Sequence, residues 1–329
     1  MRHSSNPQSF VLHHLHDLEE LWPQVRDGDS DAVHEARVTT RRIRAGLPHM
    51  RGVTVQTTKT FRRIGQRLGR VRELDVTNDL LNKLRPELPQ AANAIAELQQ
   101  QVAQLLQRRR RRLIKALDDV SFRHLGRQLA SAPAGVVMIR ALWHDWRQDV
   151  RRQLGKSAVN VRAAIERASG VYMPNRAHDV RIAIKKLRYT LELAMATGLG
   201  ANPALLPELQ GSQKVLGQLH DWQVLFKEIQ HLDAGSLARE KAVLDSVVSV
   251  ESSRLHRKYL RLRDGIINVC TACTRLEGER HTLERLGRLA TRTAYTAPVV
   301  GVPLAVWYFQ NGPRNYQTRG DSVRVTADD

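Results

Sequence analysis

The chain has 329 residues, with 52 lysines and arginines against 33 aspartates and glutamates. The formal net charge of +19 favours an anionic partner such as nucleic acid, an anionic lipid surface or polyphosphate. The only cysteines are Cys270 and Cys273, which excludes a disulfide-stabilised scaffold and indicates a reducing compartment. Because no stretch reaches the roughly 18 apolar residues of a membrane span and the N-terminus lacks the apolar core of a signal peptide, we expect a cytoplasmic protein.

In chain order, helical periodicity runs from about residue 7 to residue 293 and is broken only where glycine, proline and small residues cluster. These breaks fall at Gly28, 48–52, 86–89, 132–135, 170–174, 198–207 and 234–235. No alternating strand pattern competes with the helical one, so the sequence predicts an all-α fold. Residues 29–31 are candidate N-caps of one helix, and Asn175 is a candidate N-cap of a later one.

One basic helical pattern occurs twice. Each copy places a histidine and four arginines or lysines at offsets of 3, 7, 8 and 10 residues, beside an arc of apolar residues. At 3.6 residues per turn, the histidine and the cations at offsets 3, 7 and 10 share one stripe, so each helix buries one face and aligns cations beside it. The first copy consists of His34, Arg37, Arg41, Arg42 and Arg44, and the second of His178, Arg181, Lys185, Lys186 and Arg188.

A single basic run of this kind is typical of a solvated helix face, but its duplication with the histidine retained favours a site for a polyanion. His34 and His178 have two interpretations. They are either core histidines bonded to backbone carbonyls or phosphate contacts at the end of each stripe, and we expect phosphate contact.

The repeat extends beyond the basic helices. A Leu-Gly segment at 68–76 follows the first histidine by about 35 residues, and a similar segment at 216–224 follows the second by about 39. A unit of about 145 residues used twice predicts a duplicated helical bundle, with a first half at about 8–135 and a second at about 136–293.

The C-terminal segment 294–329 differs from the rest of the chain. Its apolar stretch contains Pro298, Gly301 and Pro303, which prevent a long helix, and a polar tail follows. We expect the apolar stretch to fold back onto the core, and docking to another subunit or a storage body is the alternative.

The paired H-x2-R-x3-[RK]-[RK]-x-R helices, each followed by an LG-x3-[DE]-type segment, resemble the CHAD domain, the conserved histidine α-helical domain. The resemblance covers about residues 8 to 293. It implies two four-helix-type bundles related by pseudo-twofold symmetry around a basic central cavity or pore. It also implies binding of inorganic polyphosphate, often on polyphosphate granules, with phosphate or sulfate ions as simpler substitutes.

Carried over by matching position, the implied polyphosphate ligands are the ten residues of the two basic helices, with Arg70 and Arg72 of the first Leu-Gly segment as additional candidates. Where the family commonly has an Arg-Asp pair, this chain has Arg72-Glu73 and His220-Asp221, and the second departure weakens the cationic contribution of the second half. The nearby carboxylates are expected to orient arginines rather than to bind phosphate: Glu73, Asp75 and Asp221.

Motifs of catalysis are missing from the sequence. It lacks the Glu-x-Glu-x-Lys strand of the CYTH triphosphatases with which the family often pairs this domain, and it lacks Walker, GxSxG and dinucleotide motifs. Without a carboxylate cluster for divalent metal, we expect no enzymatic activity, no metal site and no cofactor. The lone Cys270-x-x-Cys273 pair and the histidines at 13, 14 and 16 are expected to be ordinary helix residues, and part of the arginine run 108–112 is expected to face solvent.

The sequence therefore predicts a polyphosphate-binding protein, with polyphosphate granules as an expected location. The alternative is a helical protein that binds the nucleic-acid backbone, because the same charge serves both partners. Only 5% of the residues are aromatic and Tyr189 is the only one inside either basic motif, which disfavours stacking of single-stranded bases more than contact with a duplex backbone.

Overall fold

The computed structural model describes residues 6–131, 145–168, 173–232 and 235–296, with side chains up to residue 276. All regular structure in these ranges is helical, which confirms the all-α prediction. The helices are α1 (Pro7–Glu20), α2 (Trp22–Asp27), α3 (Ser30–Gly46), α4 (Val55–Glu87), α5 (Ala92–Asp118), α6 (Phe122–Ala130), α7 (Trp146–Arg167), α8 (Pro174–Ala196), α9 (Leu206–Gln230) and α10 (Ala238–Thr296). The chain up to Glu277 forms one compact unit, and none of the described helices is long and apolar enough to cross a membrane.

The order in which helices pack repeats along the chain. In the first half α1 packs on α3, α3 on α4 and α4 on α5, and in the second half α7 packs on α8 and α8 on α9. The two basic motifs lie on α3 and α8, and the two Leu-Gly segments lie on α4 and α9. Because α3 also packs against α8 and α4 against α9, the two halves meet through equivalent helices. This arrangement brings both basic motifs to one interface.

The apolar arc beside each basic stripe is buried, as the periodicity predicts. On α3 it includes Val33, Ala36 and Ile43, and on α8 Val180 and Ile184, all at most 1% exposed. Burying one large aliphatic side chain stabilises the fold by roughly 1.5–3 kcal/mol, so these arcs fix which way each helix faces. The cations next to them consequently lie at the edge of the core.

The two basic helices begin in different ways. Asp29 is the N-cap of α3, and its carboxylate accepts hydrogen bonds from the backbone N–H groups of Asp31 at 2.7 Å and Ala32 at 2.8 Å, as predicted. The prediction of Asn175 as the N-cap of α8 is wrong. Met173 occupies that position in an extended conformation without a side-chain bond, because Pro174 stands at the first helical position and favours an extended residue before it.

Most predicted breaks coincide with helix ends. Gly28 ends α2 with φ 87, a left-handed conformation that glycine adopts readily, and the breaks at 48–52, 86–89 and 198–207 separate successive helices. Additional breaks that the sequence did not reveal occur at Leu21, between α1 and α2, and at 119–121, between α5 and α6. The break at 132–135, parts of those at 170–174 and 234–235, and the C-terminal segment from residue 297 lie outside the described residues.

Candidate polyanion site between α3 and α8

Two glycines of α4 let α3 approach it closely. A Cβ added at Gly65 would lie 3.3 Å from Thr40 Cγ2 and 3.6 Å from a terminal guanidinium nitrogen of Arg44, and a Cβ added at Gly69 would lie 3.3 Å from Arg37 Nε. Four residues apart, these glycines share one face of α4 and leave room for the arginines of α3. The glycine of the first Leu-Gly segment therefore positions Arg37.

Four cations from the two motif helices are close enough to raise one another's electrostatic energy: Arg37 and Arg41 of α3, and Arg181 and Lys185 of α8. Burial and the nearby charges of Arg41 and Arg181 lower the pKa of Arg37 to about 10. Burial and the charges of Arg41, Arg181 and Arg37 lower the pKa of Lys185 to about 5. Packing like charges together out of water costs free energy, which a bound anion offsets.

Arg181 lies deepest in this cluster. Arg181 is only 8% exposed. Burial lowers the pKa of its guanidinium, although the negative charge of Asp221 raises it. Within the described part of the chain, Nε of Arg181 and Nε of Arg37 are buried without a hydrogen-bond partner. A buried donor without an acceptor is unfavourable by roughly 1–3 kcal/mol, so both guanidinium groups are suited to receive acceptor oxygens from a ligand.

Two carboxylates of the described residues, Asp221 and Glu73, oppose this charge. Asp221 of α9 faces Arg181 and Lys185, and burial raises its pKa while those cations lower it. Glu73 of α4 raises the pKa of Arg37, which reflects its negative charge near that guanidinium. Both acids lie in the Leu-Gly segments, where the sequence predicts carboxylates that orient arginines.

A cavity of about 470 Å³ opens beside the cluster. Four of the predicted ligands contribute to its wall: Arg41, Arg44, Lys185 and Lys186. Tyr189 also lines it, and its hydroxyl lies 3.5 Å from a guanidinium N–H of Arg41. His49, Gln153 and Thr190 also line it, and none of them was singled out from the sequence because none belongs to a repeated motif. Both motif helices thus contribute cations to this wall.

Two of the predicted ligands are neutralised inside the protein. Arg42 Nε of α3 donates to Glu192 Oε2 at 3.0 Å, and Arg188 Nε of α8 lies 3.1 Å from Glu192 Oε1. Glu192 is only 2% exposed, so this carboxylate is buried between the two arginines. The Arg188 guanidinium also stacks on Tyr189, 4.8 Å from the ring centroid. Arg42 and Arg188 consequently join α3 to α8, next to the cations of the cavity.

The remaining predicted ligands surround the cluster. His34 is exposed near the start of α3, where partial loss of water and the charge of Arg72 lower its pKa. Arg72 of α4 is half-buried and donates to the backbone carbonyl of Ser30 at 3.5 Å, while Arg70 is exposed on the same helix. On α8, burial and the charge of Arg181 lower the pKa of His178.

Asp75 orients an arginine, as expected, although not one of the candidate ligands. Its Oδ1 accepts a hydrogen bond from Arg110 at 3.0 Å, and Asp75 is 4% exposed. The Arg110 guanidinium lies against Gly28, where an added Cβ would come within 2.7 Å of it. One member of the arginine run 108–112 therefore points inward, and Arg108, Arg111 and Arg112 are exposed.

The first helix, α1, carries a group of side chains of metal-ligand type. Among the described residues, one group has suitable donor types and spacing, namely His13, His14 and Asp17 of α1, whose ligand atoms lie within 4.8 Å of one another. His14 Nδ1 lies 2.9 Å from Asp17 Oδ2, so a hydrogen bond accounts for the proximity of that pair. Cys270 and Cys273 are buried in α10, and burial raises their pKa values to about 12 and about 11, which keeps them as thiols.

Comparison with known proteins agrees with this architecture. The model of the CHAD domain family matches residues 9–230, more than half of the chain, and the chain therefore belongs to the CHAD domain family. Among solved structures it is similar to the CHAD domain from the plant Ricinus communis, with 21% identity, a TM-score of 0.56 and coverage of 81% of this chain and 93% of that one. It is also similar to PptA from Streptomyces chartreusis, with 13% identity, a TM-score of 0.59 and coverage of 78% and 98%. At these identities the likeness concerns the fold. No curated protein matches the sequence.

Proposed function

We propose that this protein binds inorganic polyphosphate in the cleft between α3 and α8, without hydrolysing it, and that this binding brings the protein to polyphosphate granules. Phosphate or sulfate ions occupy the same cations in place of the polymer. Membership of the CHAD domain family and the convergence of both basic motifs on one cleft support the proposal.

One observation carries the proposal most directly. Arg37, Arg41, Arg181 and Lys185 are packed closely enough, and far enough from water, to lower the pKa values of Arg37 and Lys185 to about 10 and about 5. Burial and mutual repulsion disfavour the charged forms of these groups, and a ligand with several negative charges offsets that cost in free energy. Guanidinium groups bind phosphate oxygens in bidentate fashion, which suits an arginine-rich cluster to this anion.

The shape of the cation stripe favours a linear polymer. From Arg37 to Arg44 the stripe on α3 rises about 10 Å at 1.5 Å per residue, which accommodates a few successive phosphates in each half. A polymer that lies along the cations displaces their counterions, and the resulting gain in entropy makes binding salt-dependent, as it does for nucleic acids.

The proposed absence of hydrolysis rests on the position of the acids. Phosphoryl transfer commonly uses divalent metal held by carboxylates. Among the described residues, Glu73 and Asp221 are carboxylates that act on the cluster, and they lie beside Arg37 and Arg181, whose positive charges oppose a metal ion there.

Binding of the nucleic-acid backbone is the second candidate function. The exposed arginines of α5, at positions 108, 111 and 112, offer positive charge that a duplex is able to contact without entering the cleft. These arginines distinguish the two candidates because polyphosphate is expected to use the cleft and a duplex the outside of α5.

A comparison of affinities tests the proposal. At fixed ionic strength and with Mg²⁺ present, the full chain is expected to bind labelled long-chain polyphosphate much more tightly than labelled duplex DNA at matched phosphate concentration. The affinity for polyphosphate is expected to fall steeply with salt, and gel electrophoresis is expected to show its chain length unchanged. Equal or tighter binding of duplex DNA contradicts the proposal, and shortening of the polymer contradicts the absence of hydrolysis.

A matched pair of glycine substitutions tests the role of the Leu-Gly segments. Gly69→Ala is expected to weaken polyphosphate binding about tenfold, or ~1.4 kcal/mol, because the new methyl group displaces the Arg37 guanidinium. Gly217→Ala is the control, since a Cβ at Gly217 meets no described atom within 4 Å. Both changes remove a helix-interior glycine, so the control is expected to stabilise the fold by roughly 1 kcal/mol and leave binding unchanged. Equal affinities of the two variants in a titration would show that Gly69 does not position Arg37 for binding.

A further inference from the structure

A second cavity, of about 660 Å³, lies where the first turn of α8 meets α9 and α10. His178 lines it, and the same stripe of α8 continues through Arg181 to Lys185, which lines the cavity between α3 and α8. From His178 to Lys185 the helix rises about 10 Å at 1.5 Å per residue. Two cavities therefore flank the buried Arg181 along one side of a single helix.

The wall of this second cavity is chemically different from that of the first. It contains apolar side chains from α9 and α10, with Phe226 42% exposed, and three serine hydroxyls, but only one lysine, Lys227. The apolar residues are Val224, Phe226 and Val248, and the serines are Ser249, Ser252 and Ser253. A phosphate chain continuing into this space would leave the cations that neutralise it. A neutral group with a flat apolar surface and hydrogen-bonding edges matches the wall better.

Two histidines stand at the junction of the cavity and the cation stripe. The rings of His178 and His220 lie 5.2 Å apart between centroids, and both line the cavity. Burial and the charges of Arg181 and His178 lower the pKa of His220 to about 3, so its imidazole is neutral near neutral pH. His220 Nδ1 is buried and makes no hydrogen bond to any residue that the structure describes. The junction thus offers a hydrogen-bonding atom without charge, which suits the boundary between a phosphate and an uncharged group.

We propose that this cavity binds the nucleoside of a nucleoside triphosphate whose phosphates lie on Arg181 and Lys185. The phosphates use the same cations as polyphosphate, so this inference rests on the proposed function. Phe226 and the two imidazole rings provide surfaces for the base, and the serine hydroxyls provide hydrogen-bond partners for the sugar and the base edge. The site then recognises a short phosphate chain by what is attached to its end.

The test compares two ligands with three phosphates each. Adenosine triphosphate and inorganic tripolyphosphate are titrated into the full chain by calorimetry, without divalent metal and at matched ionic strength. Adenosine triphosphate is expected to bind about tenfold more tightly although it carries no more negative charge, because its nucleoside occupies the cavity. Ser249→Trp, at an exposed position of the cavity wall, is expected to remove this preference and leave the affinity for tripolyphosphate unchanged.

Two further variants make the result decisive. Val250→Trp is the matched control, because Val250 is adjacent to Ser249 in α10, is 60% exposed and does not line the cavity. This variant is expected to retain the preference for adenosine triphosphate. Phe226→Ala removes apolar surface without adding bulk and is expected to weaken only adenosine triphosphate. The inference is overturned if the wild type binds both ligands equally, or if the preference survives in Ser249→Trp. Either result leaves polyphosphate binding standing, whereas failure of all phosphate ligands to bind, polyphosphate included, overturns both proposals.

Discussion

Charge reversal at Arg41 of α3 or at Arg181 of α8 is expected to weaken polyphosphate binding about 100-fold, equivalent to ~3 kcal/mol. Each change replaces an attractive charge with a repulsive one inside a cluster to which both helices contribute. A polymer lying along the cleft must pass the new carboxylate whichever helix carries it. The measurement is a titration of Arg41→Glu, Arg181→Glu and the double variant with long-chain polyphosphate.

The double variant separates a shared cleft from two independent patches. In a shared cleft the two substitutions couple, so the double variant is expected to lose much less than the sum of the two single losses. Arg111→Glu, on the exposed side of α5, changes the net charge equally and is expected to have only a small effect. Circular dichroism is expected to show intact helices in Arg41→Glu, which relieves like-charge repulsion, and it is the control for folding of Arg181→Glu, which places a second carboxylate near Asp221. Half the stoichiometry at unchanged affinity in each single variant would instead indicate two separate patches.

Polyphosphate binding is expected to take up close to one proton at pH 8, and Lys185 is the group that receives it. In the anion-free protein the pKa of Lys185 is about 5, because burial and the charges of Arg41, Arg181 and Arg37 oppose the charged form. A bound polyanion favours the ammonium ion and raises this pKa. The bound state then holds more protons than the free state, so the affinity falls as pH rises from about 5 through the pKa of the bound lysine.

Calorimetry in two buffers with different ionisation enthalpies measures this uptake, and Lys185→Arg is the matched variant. An arginine stays charged in both states, so proton uptake is expected to fall towards zero and the pH dependence to flatten. Working between pH 7.5 and 9 keeps the assay above the ordinary pKa of histidine, about 6.5, so that His178 and His220 contribute little. Equal uptake by the wild type and the variant would assign the proton to another group.

The sequence predicted the parts of the site that depend on spacing along one helix. The stripe from His178 to Lys185 and the apolar arc beside it follow from 3.6 residues per turn, and the duplication placed the equivalent residues on α3. Contacts between distant segments were not predictable in this way. Arg188 and Glu192 stand four residues apart on α8, but Arg42 lies 150 positions away from Glu192, and nothing local indicates that it shares the same carboxylate.

The two Leu-Gly segments also make contacts that the sequence alone did not predict. Both were recognised as repeated, yet only Gly69 has an arginine packed against it, whereas Gly217 has open space around its Cα. Which glycine receives a side chain from a neighbouring helix depends on how the helices are rotated and spaced. The wrong N-cap at Asn175 has a local cause, because Pro174 favours the first helical position and α8 therefore begins one residue before Asn175.

The carboxylate of Glu192 also determines how independent the two halves of the duplication are. One of its oxygens meets an arginine of the first half and the other an arginine of the second, and no bulk water surrounds it. Separating the halves would leave a buried negative charge with half of its compensation, which is strongly unfavourable. From this shared carboxylate we expect the two halves to fold and unfold as one cooperative body rather than as two independent modules.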